Sequence, residues 1–341
     1  IAVFLKFFGN DLAIAVRGVK KKGMTENQPS LNTNEKINRR SLFKGLTAGA
    51  LASSLPVTSS HAAGQDVLKR GVTKGRINQS VVSWCFANHW SVEETCRQAK
   101  RLGCKSIELI NSKSWPILKK FDLTCAISGI PVEGKPFIKG FNNPAYHPML
   151  TQATKTAVDE SADFGCPNVI AFTGFSEDFS AEEGARNCVD GFKKIAAYAE
   201  KKGVMLLLEN LNWEPVLAEV NYMPVTPAET MYFFQQVQSP ALRWSFTANH
   251  AHFLPGVGIS NFIDAVDFSL CHEVRLADNN GSYEIHQRPG EGTIDFGAMF
   301  KKIEGLGYQG HYTNGFTTIE DMLAGRDYML ARAKEAGVKI D

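Results

Sequence analysis

Residues 204–212 read Val204-Met205-Leu206-Leu207-Leu208-Glu209-Asn210-Leu211-Asn212 and decide the fold. The segment Lys201-Lys202-Gly203 before them ends a helix, and the unbroken apolar run is typical of a parallel strand buried on both faces. A carboxylate at the end of such a strand is costly to desolvate without a polar or charged partner. Since barrels of parallel strands carry their chemistry at the strands' carboxyl ends, Glu209 is the first candidate for a catalytic residue.

An alternation of strand and helix continues on both sides of this stretch, from residue 77 to residue 338. The predicted strands are residues 79–86, 106–109, 124–128, 168–172, 204–208, 242–246, 272–276 and 310–313. The predicted helices are residues 91–102, 115–120, 149–164, 181–202, 226–237, 259–266, 296–306 and 319–336. This pattern predicts an α/β fold, a (β/α)₈ TIM barrel. An open doubly wound sheet is the alternative, but no Gly-x-Gly-x-x-Gly motif follows the first strand.

The long connections of this pattern all follow strands, at residues 129–148, 173–180, 209–225, 247–258 and 277–295. This asymmetry places the elaborate loops on one face, which is the catalytic face of a barrel. Ser91 and Thr226 are predicted to begin helices, and Asp295 is predicted to cap another. Glycines at positions 103, 165, 203 and 307 are predicted to end helices.

The composition and charge limit the functions that this protein can have. The chain has 341 residues, of which 44% are hydrophobic and 21% are charged, as in a globular protein with a large core. The formal net charge of +2 gives no electrostatic case for binding nucleic acid or an anionic membrane. The seven cysteines are scattered without a Cys-x-x-Cys pair, so most are predicted to be buried thiols and not a disulfide framework.

Residues 1–62 are predicted to be a leader that lies outside the fold. The segment Asn38-Arg39-Arg40-Ser41-Leu42-Phe43-Lys44 is typical of a twin-arginine signal peptide. The apolar residues 45–52 that follow are too few to span a membrane, and Ser60-His61-Ala62 suits a signal peptidase. We therefore expect translation to begin at Met24 and the protein to be exported, for example to the periplasm. Residues 63–341 then form one barrel domain.

Several motifs together resemble the xylose-isomerase-like barrel superfamily. They include Ser106-Ile107-Glu108-Leu109, Leu208-Glu209-Asn210-Leu211-Asn212 and Thr293-Ile294-Asp295-Phe296, with further pieces at residues 79–86, 140–144 and 165–170. Their order and spacing are most similar to exported hydroxypyruvate-isomerase-like and sugar phosphate isomerase/epimerase-like proteins. The resemblance implies aldose–ketose isomerisation or epimerisation of a small carbohydrate. It also implies a divalent ion, held by carboxylates and a His or Gln, that polarises the substrate carbonyl while a Glu moves the proton.

The metal ligands of that family are only partly present in this sequence. Glu209 matches the strand-five Glu. The strand-six Asp falls on Thr247, the strand-seven His or Gln falls on Arg275, and the strand-eight Glu falls on Gly315 or Asn314. A guanidinium has no lone pair for a metal and repels a cation. The ligand set is therefore degraded, and we expect no metal at the usual site.

The residues that remain on the loop face suggest an enzyme that removes a proton next to a carbonyl. Glu209 is the expected base, Arg275 either pairs with Glu209 or stabilises the developing oxyanion, and His250 or His286 moves the second proton. The expected substrate-binding residues are Trp84, Glu108, Asn212, Asp278, His286 and Asn314. The substrate is expected to be a small sugar or sugar acid, and the oligomeric state is open.

Three other functions are weighed against this enzyme. The loss of metal ligands equally suits a catalytically silent carbohydrate-binding barrel. A keto-sugar lyase shares the same first step and cannot be separated from an isomerase by sequence. An abasic-site endonuclease of the same superfamily needs a histidine-rich zinc site and a basic groove, and the charge of this chain does not favour it.

Overall fold

The computed structural model describes residues 80–132, 138–176, 178–214, 220–281, 286–310, 312–313 and 321–338. The strands are β1 (Ser80–Val82), β2 (Ser106–Glu108), β3 (Ile127–Ser128), β4 (Asn168–Ala171), β5 (Met205–Glu209), β6 (Leu242–Thr247), β7 (Cys271–Arg275) and β8 (Tyr312–Thr313). The helices are α1 (Ser83–Phe86), α2 (Val92–Arg101), α3 (Trp115–Lys120), α4 (His147–Phe164), α5 (Ala181–Lys202), α6 (Pro227–Val237), α7 (Ala248–His252), α8 (Gly258–Ala265), α9 (Phe296–Gly305) and α10 (Asp321–Glu335). The predicted leader, residues 1–62, lies outside the described residues.

All of the described strand pairs are parallel and follow the order of the chain. Strands β3 to β8 form one six-stranded sheet, and β1 pairs with β2 in a second ladder. Two backbone hydrogen bonds join β2 to the start of the larger sheet, from Ile107 N to Thr124 O and from Leu109 N to Ile127 O. The sheet curls with the helices outside it, and the predicted TIM barrel is confirmed.

Strand β5 shows why the apolar run has this place in the barrel. Met205 and Leu207 pack with Ala126, Ile127 and Ile170 in the small interior core. The alternate residues, Leu206 and Leu208, pack in the large core shared with the helices. Both faces of the strand are therefore buried, and the alternation carries the next inward position to Glu209.

The helix boundaries follow from the predicted local signals. Thr226 and Glu229 form a complete capping box at the start of α6, and Ser91 and Asp295 cap α2 and α9 through their side chains. Helices α4 and α5 end at Gly165 and Gly203. Their φ angles of 88° and 69° lie in the left-handed region, which favours glycine.

Two short elements differ from the predicted pattern. The first strand ends at Val82, and residues 83–86 form one helical turn, so Trp84 lies on α1 and not on a strand. Helix α7 follows β6 directly and is too short to leave a helical period in the sequence. The predicted burial of the cysteines is confirmed for six of the seven, since only Cys85 is partly exposed. Among the described residues, no helix is both long and apolar enough to cross a membrane.

The pairing of β6 with β7 contains an irregularity that affects the site. Trp244 is opposite Cys271, whereas the next residue, Ser245, is opposite Glu273. His272 is thus an extra residue in β7, as in a β-bulge. After the bulge, Glu273 contacts Ser245 inside the barrel, and Arg275 follows it two residues later on the same side.

Candidate active site

Seven buried polar side chains on the inner face of the barrel form the candidate site. Strands β2, β5, β6, β7 and β8 contribute them, and none is more than 7% exposed: Glu108, Glu209, Ser245, Thr247, Glu273, Arg275 and Thr313. Thr247 lies opposite Arg275, and Arg275 lies opposite Thr313 in the strand register. The site is therefore built on rigid strands, at the end of the barrel where the βα loops begin.

Glu209 occupies the end of β5, as the sequence predicts, and is 7% exposed. Thr247 donates a hydrogen bond from Oγ1 to Glu209 Oε1 at 2.5 Å. His250 Nδ1 lies 3.8 Å from the same oxygen. Oε2 receives no hydrogen bond from the described residues.

His250 is held beside Glu209 by the backbone of the preceding strand. Its Nδ1 lies 2.9 Å from the carbonyl oxygen of Asn210. Because a carbonyl oxygen only accepts hydrogen bonds, Nδ1 carries the hydrogen in this contact. The ring of His286 lies 6.3 Å from that of His250 between centroids, so the structure brings the two predicted imidazoles together.

The side chain of Asn210 fixes the ends of two strands. It donates to Thr247 O at 3.0 Å and accepts from Thr247 N at 2.9 Å and from Trp244 Nε1 at 3.2 Å. These bonds tie the end of β5 to β6 and set the height of Glu209 relative to Thr247. Asn210 thus positions the carboxylate from outside the barrel interior.

Arg275 lies in the barrel interior between two carboxylates. It donates from Nη2 to Glu108 Oε2 at 2.8 Å and from Nε to Glu273 Oε2 at 3.1 Å. Ser245 adds a hydrogen bond to Glu273, and Thr313 adds a longer one to Glu108. Glu108, which the sequence predicts to bind substrate, is therefore paired with Arg275 inside the barrel.

The expected direct pair of Arg275 with Glu209 is not formed. Burial lowers the pKa of Arg275, but the attraction of Glu273, Glu108 and Glu209 outweighs it and raises the pKa above its usual range. Glu209 therefore acts on the guanidinium at longer range. The reason is geometric, because Glu209 accepts from Thr247 while Glu108 and Glu273 take the nearer nitrogens.

The surroundings of Glu108 favour its protonated form. Burial and the neighbouring charge of Glu273 raise the pKa of Glu108 to about 8, although Arg275 opposes the rise. Glu273 Oε1 is buried, and no group in the structure donates a hydrogen bond to it. A proton on Glu108 would supply that donor, so the cluster of Glu108, Glu273 and Arg275 is neutral near pH 7.

The residues of this cluster do not fit the divalent ion that the family resemblance implies. The guanidinium of Arg275 lies where a neutral ligand is needed, and Thr247 supplies a hydroxyl in place of a carboxylate. Within the described ranges, no group of three or more His, Cys, Asp or Glu side chains is arranged to hold a metal. Gly315 and Asn314, the strand-eight positions, lie outside the described residues.

The other predicted site residues have varied surroundings. The Asp278 carboxylate accepts three backbone N–H groups, from Asn279, Gly290 and Ile294, which gives it a structural task in the loop after β7. Trp84 is half-buried on α1, and Asn212 is buried just after β5. His252, a further histidine on the loop face, forms a 2.8 Å hydrogen bond with Thr293 Oγ1. His311, like Asn314, lies outside the described residues.

Sequence reasoning missed Glu273, which anchors Arg275. The signal was present in β7, where Glu273 and Arg275 are two residues apart in the run Cys271-His272-Glu273-Val274-Arg275. Charges of opposite sign at that spacing lie on one face of a strand. In an otherwise buried strand they indicate an internal ion pair.

The family described as xylose isomerase-like TIM barrels matches residues 96–332, and this chain belongs to it. A protein of Methanocaldococcus jannaschii, described as uncharacterized, is 22% identical over 194 residues. The aligned part covers 55% of this chain and 63% of that protein, so the match spans less than two thirds of the relative's length.

Two crystal structures show the same architecture. A D-tagatose 3-epimerase-like protein has a TM-score of 0.65 and 17% identity, over 77% of this chain and 98% of that one. A family 2 AP endonuclease from Brucella melitensis has a TM-score of 0.61 and 18% identity, over 75% of this chain and 98% of that one. At such identities the similarity is one of fold, and the chemistry has to be argued from the site.

Proposed function

We propose that this protein is a sugar isomerase or epimerase that removes a proton from the carbon next to a carbonyl. The observation that carries the proposal is the arrangement at the end of β5, where Glu209 is held by Thr247 beside His250. One oxygen of the carboxylate is fixed, and the other is left for the substrate. A carboxylate in this setting is a suitable base for enolisation.

The steps follow from the positions of the described groups. Glu209 Oε2 takes the proton from the carbon, and the electron pair moves to the carbonyl oxygen to form an enediolate. In an isomerisation, His250 takes the proton of the neighbouring hydroxyl and passes it to the former carbonyl oxygen, while Glu209 returns its proton to the other carbon. Arg275 lies too deep to clamp a substrate directly, at 1% exposed, and its positive charge stabilises the ionised state of the site through space.

The likeness to a D-tagatose 3-epimerase-like structure supports a carbohydrate as the substrate. The likeness to an AP endonuclease adds a second precedent, but a net charge of +2 does not favour a nucleic-acid substrate. A keto-sugar lyase would use the same first step. We further propose export through the twin-arginine pathway, on the strength of the Arg39-Arg40 motif.

A catalytically silent carbohydrate-binding barrel is the second candidate function. It is favoured by the internal ion cluster, in which Arg275 takes the place of a family ligand and is matched by Glu108 and Glu273. Such a barrel would bind sugars without exchanging their protons.

Proton exchange separates the two functions. The purified protein is incubated in D₂O with a panel of aldoses, ketoses and keto-glycosides, and deuterium at the carbon next to the carbonyl is followed by NMR. We expect exchange with at least one sugar, and Glu209→Gln should reduce it by ~100-fold or more because the amide keeps the shape and loses the basicity. The control, Glu182→Gln, alters an exposed carboxylate on α5 and should leave exchange unchanged. Sugar binding without exchange would support the silent barrel.

A further inference from the structure

Two buried cysteines lie side by side directly before β3 and β4. The register of these strands pairs Ile127 with Asn168, so two residues earlier Cys125 falls opposite Cys166. Asn168 Nδ2 donates a hydrogen bond to Ala126 O at 3.0 Å, which holds the two segments together at this point. Cys125 is 0% exposed and Cys166 is 1% exposed.

The side chains of the two cysteines lie on the same side of the sheet. Both belong to the core that is packed around β1, β2, α2 and α3. Each thiol donates to the carbonyl oxygen two residues further along the chain, Cys125 Sγ to Ile127 O at 3.1 Å and Cys166 Sγ to Asn168 O at 3.3 Å. The two thiols also interact with each other as partners in a hydrogen bond. The pair therefore lies close enough to be joined.

We propose that Cys125 and Cys166 are a site of oxidation, at which the two thiols form a disulfide between the segments that lead into β3 and β4. Neighbouring strands lie about 4.8 Å apart, which is within the roughly 4.4–6.8 Å that separates the Cα atoms of a disulfide. The bond requires rotation of the two thiols toward each other, and the backbone can stay in its present register.

Three other buried cysteines have different neighbours. Burial is the largest cause of the raised pKa of Cys96 and of Cys104, and the remaining contributions come from charged side chains. Burial raises the pKa of Cys188 as well. Oxidation should therefore join Cys125 to Cys166 in preference to any of these three.

The surroundings of the pair favour ionisation of one thiol. Burial opposes the ionisation of Cys166, but hydrogen bonds, among them those from Cys125, Ser161 and Ser128, outweigh it and lower the pKa of Cys166. Burial and the neighbouring Cys166 raise the pKa of Cys125. Since the thiolate is the reactive form of a cysteine, Cys166 is the nucleophile of the pair.

The oxidation takes two exchange steps with a small-molecule disulfide. The Cys166 thiolate attacks one sulfur of that disulfide, releases its first thiol and forms a mixed disulfide. Cys125 then loses its proton, attacks Cys166 Sγ and releases the second thiol. The small-molecule disulfide thus gains the two electrons and two protons that the cysteine pair loses.

The bond lies at the end of the barrel opposite to Glu209. It closes the chain from residue 125 to residue 166, which includes α4, and it restricts the unfolded chain more than the folded one. The amino-terminal face of a barrel contributes to stability and not to chemistry. The inference therefore does not depend on the proposed reaction. The proposed export would bring the protein into a compartment in which disulfides persist.

Oxidation of the full chain tests the site. Protein purified under reducing conditions is incubated with oxidised glutathione, with and without urea below the unfolding transition, then denatured, alkylated with N-ethylmaleimide and mapped by mass spectrometry. We expect two fewer alkylated cysteines than the seven of the reduced protein and a peptide pair that links Cys125 to Cys166. The melting temperature should rise by ~5 °C or more. Urea should speed the oxidation, because thiols buried in a core react only when the core opens.

Two variants control the experiment. Cys188→Ser removes an equally buried thiol outside the pair and should leave the linked peptides in place. Cys125→Ser, whose hydroxyl can still donate to Ile127 O, should abolish the link and leave Cys166 alkylated or carrying glutathione. Seven alkylated cysteines after oxidation in urea would overturn the inference, as would a link from either residue to a different cysteine or a lowered melting temperature of the linked protein. The map of the wild-type protein decides between these outcomes even if a variant fails to fold.

Discussion

At the scale of single residues, Arg275 governs the chemistry of the interior. A buried guanidinium is tolerated only with carboxylate partners, and removing one partner of a buried ion pair costs about 3–5 kcal/mol. Here two carboxylates, Glu108 and Glu273, serve one cation, so a proton is needed to balance the third charge. The cluster of Glu108, Glu273 and Arg275 therefore has three ionisable groups and, with a proton on Glu108, no net charge.

The raised pKa of Glu108 predicts a pH dependence of stability. The pKa of Glu108 rises from 4.5 to about 8 in the folded protein. Between these values the unfolded chain releases a proton that the folded protein keeps, so the free energy of unfolding should fall as pH rises from about 4.5 to about 8. In Glu108→Gln this part of the slope should vanish, because the amide accepts from Arg275, donates to Glu273 and does not titrate.

Urea unfolding at several pH values measures this slope. Glu182→Gln, an exposed α5 variant, is the control and should keep the wild-type slope. The double variant Glu108→Gln with Glu273→Gln leaves Arg275 without a carboxylate partner and should lose about 3–5 kcal/mol or fail to fold. Parallel curves for the wild type and Glu108→Gln would contradict the raised pKa of Glu108.

The same cluster predicts independence from metal. Since the guanidinium of Arg275 repels a divalent ion at the family position, a chelator should leave the melting temperature and any proton exchange nearly unchanged. Arg275→His should raise the affinity for Mn²⁺ or Zn²⁺ only weakly, because Thr247 supplies no carboxylate. One equivalent of metal in the wild-type protein that is lost in Glu209→Ala would falsify this expectation.

At the scale of elements, the loop after β7 depends on one buried carboxylate. Asp278 binds the backbone N–H groups of Asn279, Gly290 and Ile294, and a Cβ on Gly292 would collide with it. Asp278→Ala should therefore cost about 3 kcal/mol or more and increase hydrogen exchange at these amides. Asp267→Ala removes an exposed carboxylate that binds one amide, Ser269 N, and should cost only about 1 kcal/mol. Equal losses in the two variants would argue against this account of the loop.

The elements themselves were largely predictable from sequence, because their signals are local. Strand β5 is an unbroken apolar run, α6 carries a capping box, and Gly203 stands where α5 ends. The misses were short elements. Helical turn α1 and helix α7 are four and five residues long, so neither completes the two turns that a helical period needs.

The site was less predictable, because its contacts join distant strands. Glu209, His250 and Arg275 were found at strand ends, where position alone indicates function. The partners of Arg275 depend on the bulge at His272, which determines the side chains of β7 that face the barrel interior. No local sequence pattern predicts this bulge.

At the scale of the whole molecule, the barrel is expected to fold without the leader. No strand–helix unit precedes residue 76 in the sequence, and β1 begins at Ser80. Expression of residues 63–341 should give soluble protein with one cooperative thermal transition, as measured by circular dichroism. Its melting temperature should match that of the full chain within ~2 °C. An insoluble product would place the domain boundary nearer the N-terminus.

The ion pair between Arg275 and Glu108 joins residues 167 positions apart, and this separation constrains synthesis and folding. The ribosome releases the N-terminal half of the chain first. Glu108, which is buried in the finished barrel, therefore emerges before Arg275 has been synthesised. If that half closed on its own, it would bury the Glu108 carboxyl without the hydrogen bond from Arg275. We therefore expect the two halves of the barrel to stabilise each other. A gene split between β4 and β5 should yield fragments that gain structure only when both are present.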